Sequence, residues 1–338
     1  MTPTLSSHDR GVLFSIVVPT GNRPKDLAVT LEGIRQQKHQ NYEVIIVNNG
    51  TKPEFVADYS SLEKHFDHRF RFLNFHNDFS QGFGPAIARN IGIEAAKGEY
   101  IAFCDDDDKW INNEYLEVIS QRIQKYSPII IISEQQGLII EDGKEVITRP
   151  EWFTQITEPM FSKKVEVDFY SVNFDYFIER GALPHLNITI YKKEQLVQET
   201  GFDRSLWYEE DLDLFLRMVA SYDDIYFNNQ LVASHYIPDK SQNKNITSNV
   251  GSVKINQVRM LIANKLLTNE PSINIQKYAQ KMLMNSSKHI TEYFVSEKKY
   301  AVALGYSKLA LSLKFTVKWF VYSAYLFIKK LLHISKKN

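Results

Sequence analysis

The sequence predicts an α/β fold with a mostly parallel central sheet flanked by helices, followed by a C-terminal helical extension. In the first two hundred residues, apolar runs typical of buried strands alternate with segments whose apolar residues recur at helical spacing. Because strands separated by helices usually run parallel, this order indicates a parallel sheet with helices on both faces. From about residue 250 onward only helical patterns occur. We therefore expect an α/β domain at 12–250 and the extension at 251–338.

The elements of the α/β domain are predicted from apolar spacing and from the residues that end each run. A strand ends at Pro19, a helix begins at Pro24, and a second strand is closed by turn residues that include Gly50. Strands are predicted at 14–19, 42–47, 70–75, 100–104, 128–133 and 186–191, a hairpin at 138–148, and helices at 24–37, 85–96, 112–126 and 207–222. The segment 134–200 is the least regular part of this domain.

Composition excludes several classes of protein. The chain has 338 residues, zero formal net charge and no strong basic block in its first 290 residues, which argues against nucleic-acid binding. Its single cysteine, Cys104, rules out an internal disulfide. The first eleven residues have no apolar core of a secretory signal, and no stretch reaches the roughly 18 apolar residues of a membrane-spanning helix. We therefore expect a cytoplasmic protein.

Four consecutive aspartates, Asp105 to Asp108, follow the predicted strand at 100–104. They leave the sheet at its carboxyl end, which is where open α/β sheets bind ligands. Adjacent carboxylates repel one another unless a cation or hydrogen-bond donors neutralise them, so the run suggests a divalent metal such as Mg²⁺ or Mn²⁺. The same run also fits a solvated loop or a helix N-terminus, where aspartates are favoured.

Five motifs occur in order along the chain. They are Pro19-Thr20-Gly21-Asn22-Arg23, Asn48-Asn49-Gly50-Thr51, Arg89-Asn90-Ile91-Gly92, the aspartate run with Trp110, and Gly201-Phe202-Asp203 with Glu210-Asp211. In this order they resemble the family 2 glycosyltransferases, which have the nucleotide-sugar-binding GT-A fold. The resemblance covers roughly residues 12–240. It implies inverting transfer of a sugar from a nucleotide-sugar to an acceptor hydroxyl.

The resemblance also implies roles for individual residues. Asp107 is the expected direct metal ligand and Asp105 the second, and His235 is a further metal or diphosphate contact. A lone histidine is more often structural or solvent-facing than a ligand. Because the acceptor hydroxyl must lose its proton, a carboxylate base is expected, with Asp211 ranked first and Glu210 second. As isolated residues, both also fit the acidic start of a helix.

The nucleotide-sugar pocket implied by the resemblance contains residues from four of the motifs: Pro19, Thr20, Asn22, Arg23, Asn48, Arg89, Asp105 and Asp106. Asn48 departs from the family pattern, which usually has an aspartate there. An asparagine carbonyl accepts the hydrogen bond of the uracil N3–H without the strengthening that a carboxylate charge gives. Uracil therefore remains the expected base, although Asn48 excludes thymine and guanine less strictly than an aspartate would. The segment 134–200 is expected to read the acceptor, but Tyr170, Asp175, His185 and Asn187 receive no individual role.

The C-terminal tail is basic and aromatic. No acidic residue follows Glu297, whereas nine lysines do, and Lys318 and Lys329 flank a ten-residue apolar window. Such a segment fits peripheral contact with the cytoplasmic face of the inner membrane, where a lipid-linked acceptor would be held. It fits equally a helical hairpin packed on the protein or on a second copy.

The function that the sequence favours is metal-dependent transfer from a nucleotide-sugar donor to a saccharide or lipid-linked saccharide acceptor, in bacterial surface polysaccharide biosynthesis. One alternative is a nucleotidyltransferase, in which residues 20–23 would serve as a minimal form of the glycine-rich phosphate-binding loop. The other is a non-catalytic nucleotide-sugar-binding scaffold. The aspartate run and the Glu-Asp pair argue against the scaffold.

Overall fold

The structure is a computed structural model, and it describes residues 11–75, 82–141, 143–151, 153, 162–180, 183–237, 251–269 and 272–334. The chain forms two compact units, Met1–Asp239 and Lys240–Asn338. The domain boundary predicted between residues 250 and 251 borders the stretch 238–250, which lies outside the described residues. That boundary therefore stays a prediction.

The first half of the N-terminal unit alternates strands and helices as predicted, and it contains one helix, Val56–His65, that was not predicted. Its elements are β1 (Phe14–Thr20), α1 (Pro24–Arg35), β2 (Tyr42–Asn49), α2 (Val56–His65), β3 (Phe70–Phe75), α3 (Pro85–Ala95) and β4 (Tyr100–Phe103). The four strands lie in the order β3-β2-β1-β4, and every neighbouring pair is parallel. Strands β1 and β2 are almost entirely buried, because helices cover both faces of a parallel sheet.

The second half adds strands that run in both directions. Its elements are β5 (Lys109–Trp110), α4 (Tyr115–Tyr126), β6 (Ile130–Glu141), β7 (Lys144–Arg149), β8 (Ser162–Glu166), β9 (Phe169–Val172), α5 (Phe174–Arg180), β10 (Thr189–Lys192), α6 (Lys193–Gln198), α7 (Glu210–Ser221) and β11 (Ile225–Tyr236). The sheet continues β4-β10-β6-β11-β9-β8, and β10 is antiparallel to both of its neighbours. The predicted α/β fold with a parallel core is confirmed, and the complete sheet is mixed.

Two predicted strands differ in extent from those observed. The strand predicted at 128–133 and the first arm of the hairpin are one strand, β6, which continues through polar residues. Two of those residues have hydrogen-bond partners inside the protein: the Glu134 carboxylate accepts the backbone N–H of Phe153 at 3.0 Å, and Ser133 accepts a hydrogen bond from Asn228. The strand predicted at 186–191 begins later, at Thr189, because residues 186–188 form a single 3₁₀ turn.

A two-residue strand connects the aspartate run to the far side of the sheet. In β5, Lys109 lies opposite Ser234 of β11, and Trp110 lies opposite Ala233. This register places His235 beside Asp108. The indole N–H of Trp110 also reaches the carbonyl and side-chain oxygens of Asn187, at 3.2 and 3.1 Å. The segment that carries His185 is thereby held next to the same strand end.

The C-terminal unit consists of α8 (Ser252–Thr268), α9 (Ile273–Ser296), α10 (Tyr300–Leu313) and α11 (Val317–Ile334). Each helix packs against the next. Between α10 and α11 the buried contact is made by Ala303, Leu304 and Leu326, and the hydroxyls of Ser307 and Ser323 lie 2.5 Å apart. Among the described residues, no helix has both the length and the apolar composition needed to cross a bilayer.

Close packing of α3 on β1 depends on Gly92, and this gives a first testable expectation. A Cβ at position 92 would lie 2.2 Å from Cγ1 of Val17, so Gly92→Ala should lower the free energy of unfolding by about 1–3 kcal/mol. Gly305 in α10 has no atom within 4 Å of such a Cβ, and Gly305→Ala should instead add roughly 0.4–1 kcal/mol. Urea unfolding followed by circular dichroism measures both changes.

Adding Val17→Ala to the Gly92→Ala variant should recover part of the loss, because it removes the methyl group that the new Cβ meets. If Gly92→Ala is as well tolerated as Gly305→Ala, then α3 and β1 are not in the close contact described.

Candidate active site

The four aspartates after β4 lie at the carboxyl end of the parallel core, and they differ in burial and in partners. The side chains of Asp106 and Asp108 are buried, whereas those of Asp105 and Asp107 are partly exposed. Neighbouring carboxylates therefore point into different surroundings even though they are consecutive in the chain. Three groups of partners account for all four residues.

The first group joins Asp105 to the start of α7 through Arg89. Arg89 is a buried residue of α3, and its guanidinium donates to Asp105 Oδ1 at 2.6 Å and to Glu210 Oε1 at 2.5 Å. Burial favours the neutral form of Asp105, but Arg89, together with His185 and Arg23, lowers its pKa to about 2. Burial raises the pKa of Glu210 despite its contact with Arg89. One guanidinium thus connects the aspartate run with the Glu-Asp pair.

The second group ties the aspartates to the motif that follows β1. Arg23 forms ion pairs with both Asp106 and Asp107. The hydroxyl of Thr20 donates to Asp106 Oδ2 at 2.7 Å and lies 2.8 Å from the hydroxyl of Tyr59. Burial raises the pKa of Asp106 to about 7, and burial likewise raises the pKa of Asp107, although Arg23 opposes both shifts. Thr20 and Arg23, both predicted site residues, are therefore in direct contact with the run.

The third group contains Asp108 and two histidines. Nδ1 of His235 lies 2.9 Å from Asp108 Oδ1, and Nδ1 of His185 lies 3.8 Å from Asp108 Oδ2. One potential ligand atom from each residue lies within 4.8 Å of the other two. Burial lowers the pKa of His235, but the adjacent Asp108 carboxylate outweighs it, so that the pKa is raised. Oδ2 of Asp108 is buried and has no hydrogen-bond partner in the part of the chain that the structure describes.

The Glu-Asp pair occupies the first turn of α7. Glu210 is buried against Arg89, whereas Asp211 is half-buried and its Oδ1 accepts the N–H of Leu212 at 2.8 Å. Arg217 of the same helix binds Asp213 Oδ2 at 2.9 Å and the carbonyl of Gly201 at 2.6 Å. Arg217 therefore fixes the turn that leads into α7.

The Gly-Phe-Asp motif is held to α3 by Asn90. The buried Asn90 side chain donates to the carbonyl of Phe202 at 2.8 Å and accepts its N–H at 2.9 Å. Arg89 and Asn90, neighbours in one motif, thus both hold α3 to the Gly-Phe-Asp and Glu-Asp motif, Arg89 through its ion pair with Glu210 and Asn90 through backbone hydrogen bonds with Phe202.

The residues predicted to form the wall around the base lie at the ends of β1 and β2. Asn48 is buried, donates to Asn74 Oδ1 at 3.1 Å and accepts the hydroxyl of Thr51. Asn22 has a left-handed backbone, with φ of 61°, and its Oδ1 accepts the N–H of Lys52 at 2.7 Å. Pro19 lies in β1 opposite Val47. Asn22 and Asn48 thus shape two adjacent turns at the carboxyl edge of the parallel core.

Sequence reasoning gave Asp108 only a possible supporting role beside Asp105 and Asp107 and gave His185 none, yet the structure brings both together with His235. The available signal was weak, because Asp108 was one of four similar residues and His185 lay in the irregular segment. Of the other unassigned residues, Asn187 supports Trp110, Tyr170 lies in β9 opposite Phe227, and Asp175 lies in the first turn of α5.

Comparison with known proteins identifies the family. Residues 15–179 match Glycosyl transferase family 2. An uncharacterized glycosyltransferase of Haemophilus influenzae is 27% identical over 208 residues, which are 61% of this chain and 62% of that protein. The putative colanic acid biosynthesis glycosyl transferase WcaA of Escherichia coli is 27% identical over 214 residues, covering 62% of this chain and 67% of WcaA. The match to the Haemophilus protein thus spans less than two thirds of its length.

Solved structures share the fold. TarS 1-349 of S. aureus in complex with UDP-GlcNAc has a TM-score of 0.63 at 16% identity, covering 95% of this chain and 92% of TarS 1-349. Mannosyltransferase PcManGT from Pyrobaculum calidifontis, in complex with GDP-Man and Mn²⁺, has a TM-score of 0.56 at 13% identity, covering 96% and 88%. These likenesses confirm the predicted GT-A-like fold. The match over residues 15–179 shows that the chain contains a domain of Glycosyl transferase family 2.

Proposed function

We propose that this chain transfers a sugar, with inversion, from a nucleotide-sugar to a hydroxyl of a saccharide or lipid-linked saccharide. The observation that carries the proposal is the bridge from Asp105 through Arg89 to Glu210, which brings the donor-side and acceptor-side motifs into one site. A UDP-sugar is the favoured donor, supported by the implied uracil contact at Asn48 and by UDP-GlcNAc in TarS. The name of WcaA supports a role in bacterial surface polysaccharide assembly.

The acceptor and the donor of the proposed reaction each need a charged group of the protein. The acceptor hydroxyl becomes a nucleophile as it loses its proton, and Asp211 is the carboxylate assigned to accept that proton. Attack on the face opposite the leaving nucleotide then inverts the anomeric carbon. On the donor side, Arg23 is partly exposed, and we assign its guanidinium to contact the diphosphate in addition to its ion pairs with Asp106 and Asp107.

The residues present fit a divalent metal. A bound cation would neutralise the charge that develops on the departing diphosphate. Asp107 and Asp105 stay our proposed ligands from the sequence, and the cluster of Asp108, His185 and His235 adds a carboxylate and two imidazoles. The buried Oδ2 of Asp108 is the observation that supports this fit. Mg²⁺ prefers all-oxygen ligands whereas Mn²⁺ also accepts imidazole, so a metal held by the histidine cluster would be Mn²⁺ rather than Mg²⁺.

A donor screen tests the proposed function. UDP-, dTDP- and GDP-sugars are offered with Mn²⁺, with Mg²⁺ and with EDTA, and release of the nucleoside diphosphate is measured. We expect one donor to be turned over with Mn²⁺ and its turnover to stop in EDTA. His235→Ala and Asp107→Ala, measured separately, should each raise the Mn²⁺ concentration needed for half-maximal rate if that residue is a ligand.

An exposed carboxylate, Asp58 of α2, provides the matched control, and Asp58→Asn should leave both rate and metal dependence unchanged. If no donor is turned over under any condition, the catalytic proposal fails, and donor binding without turnover would instead support the non-catalytic scaffold. Turnover that is equally fast in EDTA would show that the transfer reaction does not require a metal.

A further inference from the structure

One face of α11 is apolar and exposed. Six of its large apolar side chains are each at least 49% exposed, namely Phe320, Val321, Phe327, Ile328, Leu331 and Leu332. At about 100° per residue, these positions fall within a continuous arc of roughly 140° around the helix. The opposite side of α11 is occupied, because Ser323 and Leu326 are buried and the Trp319 indole donates to the carbonyl of Ser307 in α10.

Lysines border this apolar face. On the same helical projection, Lys318 and Lys329 lie along one edge of the arc, Lys330 lies beyond the other edge, and no charged residue lies within it. Lysines at the edge of an apolar face can extend their ammonium groups away from it while their methylene chains cover apolar surface. The arrangement is that of a helix with an apolar face and a cationic border.

The cationic character extends to the whole C-terminal unit. Residues 240–338 contain 17 lysines and arginines but only three acidic residues, and all nine charged residues after Glu297 are lysines. Because the complete chain has zero formal net charge, the N-terminal unit carries the compensating acidic excess. The unit that exposes the apolar face is therefore strongly positive by itself.

Charge and apolarity together select one occupant for this face. Face-to-face pairing with a second copy would bring two such cationic units together, which is electrostatically unfavourable. An acidic protein surface would complement the lysines but would leave the apolar arc without apolar contacts. An anionic bilayer offers negative headgroups for the lysines and acyl chains for the apolar face.

We propose that α11 docks the chain on an anionic membrane, lying in the plane of the interface with its apolar face toward the acyl chains. Its 18 residues give a length of about 27 Å, enough for several turns to contribute to binding. This inference stands on the C-terminal unit alone and does not depend on the proposed transfer reaction.

Co-sedimentation of the full-length protein with vesicles tests the inference. Vesicles containing phosphatidylglycerol are compared with pure phosphatidylcholine vesicles, at low and high salt. We expect binding to the anionic vesicles only, weakened by salt. Phe320→Glu with Ile328→Glu should abolish binding, and Lys318→Gln with Lys329→Gln should weaken it about 30-fold, from the attraction typical of two lysines near an anionic surface.

Two exposed isoleucines of the hairpin formed by β6 and β7 provide the control. Ile140 and Ile147 are as exposed as the α11 residues, and Ile140→Glu with Ile147→Glu should bind vesicles like the wild type. Circular dichroism checks that each variant is folded, and light scattering gives the mass of each protein in solution.

Three outcomes would overturn the inference. The first is absence of wild-type binding to either vesicle, and the second is equal binding of the wild type and the Phe320→Glu, Ile328→Glu variant. The third is a wild-type dimer that this variant converts to a monomer without any vesicle binding, which would assign the face to contact between copies.

Discussion

Replacing Asp211 by asparagine should lower kcat for sugar transfer by about 10²–10⁴-fold, the range typical of a lost general base. The asparagine side chain has nearly the same size and can still accept the N–H of Leu212, so the start of α7 should be preserved. What it loses is the ability to take a proton from the acceptor. Donor affinity should stay within about threefold, because only the acceptor side is changed. Steady-state rates and donor titration measure the two quantities.

The contacts of the two carboxylates explain why Asp211 and not Glu210 is expected to be the base. Glu210 is buried and its Oε1 accepts a hydrogen bond from Arg89, so its main contribution is to hold α7 against α3. Asp211 is half-buried, and its Oδ1 contact is with its own helix. We therefore expect Glu210→Gln to reduce stability as well as rate, whereas Asp211→Asn should reduce rate alone.

Asp58→Asn again serves as the matched surface change and should leave kcat unaltered. A larger loss of kcat in Glu210→Gln than in Asp211→Asn, at unchanged stability, would move the base to Glu210. Loss of donor binding in Asp211→Asn would show that Asp211 acts in the donor pocket instead.

The parallel core of this fold was predictable because short stretches of sequence determine its strands and helices. The apolar runs of β1, β2 and β4 and the helical spacing between them fix both element type and order, and right-handed crossovers leave few arrangements. The direction of β10 was not predictable in the same way. Its four residues form a buried strand whichever way it runs, and only its packing between β4 and β6 decides that it is antiparallel to both.

The site shows the same division between residue identity and residue pairing. Motif order was sufficient to nominate Arg23, Arg89 and the aspartates, but four adjacent carboxylates look alike in sequence. Their different partners come from the start of α1, from α3 and from β11. The contact of Asp108 with His235 follows from the pairing of β5 with β11, which joins two residues to a strand more than a hundred positions away. A two-residue strand has no periodicity that a sequence pattern could reveal.

Replacing Arg89 by methionine should lower the free energy of unfolding by about 3–5 kcal/mol, the loss typical when one partner of a buried ion pair is removed. Methionine keeps much of the volume of the arginine stem but removes the guanidinium that Asp105 and Glu210 share. Glu210 would then be a buried carboxylate without that partner. Urea unfolding at neutral pH gives the free energy of each variant.

An exposed ion pair provides the contrast that isolates the effect of burial. Arg204 and Glu94 lie 2.9 Å apart with side chains 66% and 67% exposed, and Arg204→Met should cost less than about 1 kcal/mol. Adding Glu210→Gln to Arg89→Met should recover part of the larger loss, because an uncharged amide is easier to bury than an unpaired carboxylate. If Arg89→Met lowers the free energy of unfolding no more than Arg204→Met does, the aspartate run and the Glu-Asp pair are held together by something other than the Arg89 guanidinium. The bridge would then no longer support a single site.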